Sequence, residues 1–350
     1  MNILSFYRGK KVFLTGATGF KGTWLCHVLH AAGAQITGYA LAAAEPSLFQ
    51  ESAAGRIIKL ITGDVRSGAE FVQAVRTAKP EILLHLAAQP LVRRSYHEPV
   101  LTYETNVMGT VHVLEAVRQT PSIRSFINIT TDKVYENNEW HWGYRENEPL
   151  NGFDPYSNSK SCAELVTSSY RAAFFGSDNS PAISTARSGN VIGGGDYAHD
   201  RIIPDCIRAV RMGQPIVVRN PASIRPYQHV LECISGYLLL AARQYENPVL
   251  AGAWNFGPNE ESCVDTGHLA ALFCTAWGER AAWIIQADDG PHEARFLKLD
   301  CSKAKAELNW KPRWNIQQAV EKTVEFAKSP LPAHDCLEQQ INTYFEGTDV

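Results

Sequence analysis

The sequence predicts an α/β protein: a doubly wound parallel sheet with helices on both faces, joined to a smaller, discontinuous C-terminal substrate domain. Three observations predict it. Short β-rich runs alternate with helical segments over the first half of the chain, the pattern of a parallel sheet. A glycine triplet stands between the first strand and the first helix. After Gly189 the alternation gives way to interspersed glycine, proline, arginine and aromatic residues.

Taken in order, "KKVFLTG" reads as a buried strand and "GTWLCHVLHAAG" as a helix closed by Gly33. "AQITGYAL" and "IIKLITGDV" are the second and third strands. "GAEFVQAVRTAKP" is helical, "EILLHLAA" a strand, "TNVMGTVHVLEAVRQT" a helix and "IRSFINITT" a strand. A long polar loop, "YENNEWHWGYRENEPLNGFD", leads to a helix starting near Pro155, and "AISTARSGNVIG" is a further strand. "HVLECISGYLLLAARQ" and "GAWNFGP" complete the sheet as its last helix and strand. The expected division is 1–188 with 226–258 for the sheet domain, and 189–225 with 259–350 for the second.

At 350 residues the chain is too long for one simple core. Its 45% hydrophobic and 20% charged content is that of an ordinary globular protein. A net charge of −3 offers no basic footprint for nucleic acid or anionic lipid. No apolar run is long enough to span a bilayer, and no secretory signal is read at the N-terminus, so a cytoplasmic protein is expected. The 8 cysteines are scattered without close pairs, which fits core thiols in a reducing compartment rather than a metal site; no metal is expected.

"TGATGFKG" places Gly16, Gly19 and Gly22 at the strand-to-helix turn, with Thr18, Phe20 and Lys21 between and beside them. Such a turn needs a residue without a Cβ, lets the backbone approach a pyrophosphate, and aims a helix N-terminus at it. A bound dinucleotide follows from that context. Asp64 and Val65, after the third strand, are candidates for its adenine end, although a capping aspartate reads equally well. Leu86, Ala87 and Ala88 are cofactor candidates; "AAQ", Ala87 to Gln89, is expected to line the nicotinamide and sugar, where small side chains leave room. The second strand ends "GYALAAAEPS", with neither an acid nor a base where the ribose would lie; Glu45 is the nearest acid. NAD is favoured.

"DPYSNSKSCAEL" sets Tyr156 and Lys160 four apart on one helix face. A phenol moves protons near neutrality only if its pKa of about 10 is lowered, and a neighbouring ammonium lowers it. "TTDKVY" puts Thr131, Asp132 and Lys133 at the end of the fifth strand. An acid beside an ammonium there is either a surface-turn ion pair or a proton-transfer pair.

The glycine triplet, "HLAAQ", "TTDKVY", "PYSNSK" and "RSGNVIGGGD" together resemble the extended short-chain dehydrogenase/reductase family, which includes nucleotide-sugar epimerases and dehydratases. The match covers most of the chain. The resemblance implies a Rossmann domain for NAD, a C-terminal sugar-nucleotide domain, and a homodimer or homotetramer built through long helices. The details "TDKVYEN", "DRIIPD" and "RPYQHV" are most similar to the family's nucleotide-sugar 4,6-dehydratases and imply CDP-glucose as substrate, on the way to a deoxysugar for a surface polysaccharide. Related dTDP-glucose enzymes carry Thr-Asp-Glu at the strand end, and Lys133 departs from that. By analogy Asp132 is the acid and Lys133 the base, or its support; burial raises a carboxyl pKa and lowers an amine's, so the two should titrate as a unit. Thr131 then binds the 4-hydroxyl. Gln89, Asn190, Arg201, Arg225, His229 and Arg295 fall on the family's substrate segments. Arg208 and Arg219 are left as surface, His85 as packing, and Trp140 and Trp142 either cover the pocket or pack on their own domain. The competing readings are a dTDP-glucose or GDP-mannose dehydratase, a 4-epimerase, and a non-catalytic dinucleotide-binding scaffold.

Overall fold

A computed structural model of the chain describes residues 3–177, 180–278, 281–286 and 295–347. Seven strands form one sheet: β1 (Lys11–Thr15), β2 (Gln35–Ala40), β3 (Lys59–Thr62), β4 (Ile82–His85), β5 (Ser125–Ile129), β6 (Ala182–Ser188) and β7 (Ala253–Phe256). Their order is β3-β2-β1-β4-β5-β6-β7, and every neighbouring pair is parallel. The chain leaves β1 in one direction and returns at β4 on its other side. The carboxyl ends of β1 and β4 therefore open a crevice at the switch point, where such sheets bind ligands.

Both faces of the sheet are covered, which is why β4, β5 and β6 are buried throughout their length. Side chains alternate between two cores. Val12, Leu14, Leu84 and Ile127 pack with the helices α1 (Phe20–Ala31) and α6 (Val230–Glu246). Phe13, Leu83, Phe126 and Ile183 pack with α2 (Gly68–Ala78), α3 (Gly109–Arg118) and α4 (Pro155–Phe174). A third cluster joins α5 (Ile202–Arg211), α7 (Thr266–Trp277) and α8 (Ile316–Lys328), with none of its buried members drawn from the sheet.

Three details differ from the sequence reading. β6 ends at Ser188, and Val191–Ile192 pairs instead with Gln228–His229. Gly189 forces the break, because a Cβ there would lie 2.4 Å from Pro226. The helix expected from Thr105 onward starts earlier and contains a π-turn, Glu104–Met108, before α3. Finally, Leu297, Leu299 and the last helix, α9 (Ala333–Phe345), were expected in the second domain but pack with α1 and α6. The buried Glu232 of α6 explains the last case. It accepts from the backbone N–H of Arg313 at 3.0 Å and of Trp314 at 2.8 Å, and from the Tyr344 hydroxyl at 2.8 Å, drawing the C-terminal segment onto the sheet domain.

Candidate active site

The glycine turn behaves as its spacing requires. Gly16 has φ +71, and a Cβ on it would sit 2.8 Å from the Ala87 nitrogen. A Cβ on Gly22 would sit 2.1 Å from the Gly16 carbonyl oxygen. Gly19 caps α1 with extended backbone and no side-chain acceptor, which leaves the first N–H groups of the helix free for an anion. The Thr15 hydroxyl holds the opposite wall by accepting from the backbone N–H of Leu86 (3.0 Å) and Ala87 (3.1 Å). Its proton then goes to His85 Nδ1 at 2.7 Å. Burial pushes His85 down to about 3, so it is neutral and structural. These features form a cradle that a pyrophosphate fits and a side chain would fill. Thr18 donates to the Leu41 carbonyl at 3.1 Å, tying the turn to the end of β2. Phe20 lies against Gly193 and Val65 against Gly109. The Asp64 carboxylate is engaged by Arg66, through its backbone N–H at 2.9 Å and its guanidinium at 2.6 Å, and these contacts hold Asp64 below its usual pKa. It is thus a turn-capping aspartate in this structure.

α4 begins where its sequence dictates. Asp154 caps the N-terminus by accepting from Ser157 N–H at 2.9 Å, and Pro155 occupies the first turn. Tyr156 and Lys160 follow on one face. Lys160 donates to the Ile129 carbonyl at 3.2 Å, and burial together with Lys21 pushes it down to about 8. Lys21, itself lowered by burial, donates to Ser188 at 3.2 Å. Tyr156 departs from expectation. Its pKa is pushed up to about 12, because burial and the Asp132 charge outweigh the Thr131 hydrogen bond and the Arg201 charge. Lys160 is spent on a backbone carbonyl instead of lowering the phenol.

The Thr131–Lys133 turn lies at the end of β5. Thr131 caps a short 3-10 turn, Asp132–Val134, and donates to Asp132 Oδ1 at 2.9 Å. Asp132 is buried, and its other oxygen, Oδ2, has no hydrogen-bond partner among the described residues. That oxygen lies 3.1 Å from where a Gly189 Cβ would stand, so the glycine leaves it room. Burial raises the Asp132 pKa, while Lys133, Thr131, Arg225 and Lys21 oppose the rise. Lys133 is half-buried. Asn190 presents another buried oxygen, Oδ1, without a hydrogen-bond partner among the described residues. Lys21, Thr131, Asp132, Lys133, Tyr156, Arg201 and Arg225 thus share one electrostatic neighbourhood.

Three expected substrate residues are placed differently. Gln89 has both amide hydrogens engaged, on the Leu91 carbonyl (3.1 Å) and the Thr102 hydroxyl (2.9 Å), while Leu91 N–H donates to its oxygen; its side chain clamps a loop. His229 is fully buried between Trp24 and Trp314, caps α6 by accepting from Leu231 N–H, and is pushed down to about 3 by burial. Arg295 is exposed and bridges through its backbone, the Ile224 N–H donating to its carbonyl at 2.9 Å. Arg201 is paired with Asp196 at 2.9 Å. Trp140 stacks on Tyr144, and Trp142 is exposed. Sequence reasoning missed Asn106. The π-turn presents it inward, where its amide spans the Gln89 backbone (2.8 and 3.1 Å) and Ser159 (2.9 Å). A lone asparagine inside an apolar helical run was the available signal.

A family model described as GDP-mannose 4,6 dehydratase matches residues 13–323. The chain belongs to this dehydratase family. Within the wider set of extended short-chain dehydrogenases, a relative from Salmonella typhimurium, "CDP-glucose 4,6-dehydratase", is 47% identical over 98% of this chain and 98% of that protein. A "dTDP-glucose 4,6-dehydratase" from Xanthomonas campestris is 25% identical over 76% of this chain and 78% of that protein. A solved dTDP-glucose 4,6-dehydratase from Bacillus anthracis in complex with NAD shares the fold, with TM-score 0.76 and 20% identity over 90% of this chain and 95% of that one. The Asp132–Lys133 turn and the Tyr156–Lys160 pair thus sit within a dehydratase chain, on the crevice side of its sheet.

Proposed function

We propose that the protein is an NAD-dependent CDP-glucose 4,6-dehydratase, a hydro-lyase that forms CDP-4-dehydro-6-deoxy-D-glucose. The buried, partnerless carboxyl oxygen of Asp132, beside Lys133 and Tyr156, carries this reading. The near full-length likeness to the Salmonella CDP-glucose enzyme supports the cytidine nucleotide. Bound NAD would supply the hydride acceptor for sugar carbon four and, once reduced, the hydride donor for carbon six. The glycine turn with Lys21 and the Leu86–Ala88 wall would hold it. Tyr156 is protonated in the ligand-free site; for it to act as base its proton must first pass to solvent, a loss favoured by the positive charge of Lys160 and Arg201, and the phenolate then takes the 4-hydroxyl proton. Thr131 orients that hydroxyl. Asp132, whose raised pKa favours the protonated form, gives its proton to the departing 6-hydroxyl. Lys133, its own proton having shifted to Asp132, takes the proton from carbon five. Asn190, Arg201 and Arg225 are assigned to the diphosphate, with guanidinium forks matched to its oxygens.

We assign NAD binding to 1–188 with 226–258 and the sugar nucleotide to 189–225 with 259–350, the latter segment being anchored on the sheet core through residues 297–310 and α9. We also place the enzyme in the cytoplasm, where its eight unpaired cysteines would stay reduced, and as a homo-oligomer. Among the described residues no helix is long and apolar enough to cross a membrane. Incubation with CDP-glucose and NAD tests the function. The expected product is a 4-keto sugar with no net consumption of NAD, and turnover of dTDP-glucose or GDP-mannose in preference to CDP-glucose would reject the substrate assignment.

A further inference from the structure

Glu164 lies one further helical step beyond Tyr156 and Lys160 on α4 and is buried. Its carboxylate is saturated. Oε1 accepts from the Thr130 hydroxyl at 2.5 Å and from Arg187 Nε at 3.0 Å. Oε2 accepts from the Thr185 hydroxyl at 2.7 Å and from an Arg187 terminal nitrogen at 2.8 Å. Arg187, on β6, is equally buried. Its remaining terminal nitrogen donates to the Tyr135 hydroxyl at 2.8 Å and to the Glu146 carbonyl at 3.1 Å. Tyr135 then donates to Asn255 at 2.7 Å. Thr130 is the residue immediately before the Thr131–Val134 turn, and Tyr135 is the residue immediately after it. One ion pair therefore grips the turn at both ends. Ser161, also on α4, adds a hold on its body by donating to the Val134 carbonyl at 2.7 Å.

A buried ion pair contributes little to stability beyond what apolar side chains of the same size would give, because desolvation offsets the attraction. Its retention here calls for a geometric reason, and the two tied residues supply one. We propose that the Glu164–Arg187 pair is a clamp that holds the Asp132–Lys133 turn in register with Tyr156, and that Glu164 and Arg187 are positioning residues for the elimination step; this rests on the dehydratase reading above. The acid and base sit on a short turn without sheet partners, whereas Tyr156 sits on a long helix. A rigid link between them keeps the proton donor and acceptor aligned with the sugar, and small misplacements of such groups are costly in rate.

Thr130→Val and Tyr135→Phe each remove one tie while leaving the ion pair and the local volume in place. They are compared with the wild type in the full-length, NAD-loaded enzyme. Hydrogen–deuterium exchange of the 131–134 amides is expected to rise roughly ten-fold in each variant and further in the double variant, with exchange of the β1 and β4 amides unchanged. Turnover of CDP-glucose is expected to fall roughly ten-fold in kcat with KM nearly constant, and the transient change in nicotinamide absorbance that marks the first oxidation is expected to persist. Wild-type exchange and kcat in both single variants, or faster exchange spread across the whole sheet, would overturn the clamp. The exchange arm needs no substrate. If the wild-type chain does not dehydrate CDP-glucose, the functional reading falls, and the exchange result still decides the clamp.

Discussion

Asp132 is a carboxyl asked to give a proton near neutral pH, where a solvated carboxyl has none to give. Its burial, with one oxygen left without a partner, resolves the difficulty by favouring the neutral form. Asp132→Asn and Lys133→Met are expected to stop water elimination, lowering product formation at least roughly 100-fold while the nicotinamide absorbance still changes on adding CDP-glucose. Tyr156→Phe is expected to abolish that first absorbance change as well. A Lys133→Met enzyme that dehydrates near the wild-type rate would remove Lys133 from the base role. At this scale the sequence was most readable where chemistry demands a fixed spacing. The glycine turn and the Tyr156–Lys160 pair follow from local periodicity alone. Gln89 and His229 are placed by contacts that only the fold makes: Thr102 takes an amide hydrogen of the first, and the rings of Trp24 and Trp314 enclose the second. The raised pKa of Tyr156 was hidden for the same reason, since a lysine four residues away in sequence can still donate elsewhere.

Among the elements, α6 and α9 show how a polar contact can set an attachment. Glu232 is buried in the first turn of α6, and burial pushes its carboxyl up to about 7 despite the three hydrogen bonds it accepts. A carboxyl raised on folding is more protonated in the folded than in the unfolded chain. Its contribution is therefore fully present below about pH 4.5 and is lost as pH rises to about 7. The loss is on the order of 3 kcal/mol. Urea titrations across that window should show stability falling with pH in the wild type and a flatter dependence in Glu232→Gln. Equal slopes in the two would show that Glu232 is not the group responsible. The existence of the strands and their succession along the chain could be read from the sequence, because both-face burial leaves continuous apolar runs, whereas their order in the sheet comes from the structure. The end of β6 could not, because it depends on Gly189 meeting Pro226 across the chain. Nor could the π-turn at Glu104–Met108, whose residues continue the helical pattern on both sides.

For the whole molecule, the second face of interest is the one formed by the helices around 99–118 and by α4, which pack on each other and expose Val100, Met108 and Leu165. On these adjacent helices we place the contact of the proposed homo-oligomer. Leu165→Glu with Val100→Glu is expected to shift the mass in solution from oligomer to monomer; an unchanged mass would locate the contact elsewhere. How the C-terminal third divides between the two parts was the least legible property, since residues 297–310 and α9 join the sheet core through side chains far apart in sequence. One feature of the crevice bears on all of this. Asp132 Oδ2 and Asn190 Oδ1 are buried with no hydrogen-bond partner among the described residues, a condition that penalises the folded chain unless a guest supplies one. A protein shaped only by the need to stay folded would have traded both for hydrocarbon, so replacing them is where a search for hardier variants would succeed first and where it would leave a sound scaffold that no longer works.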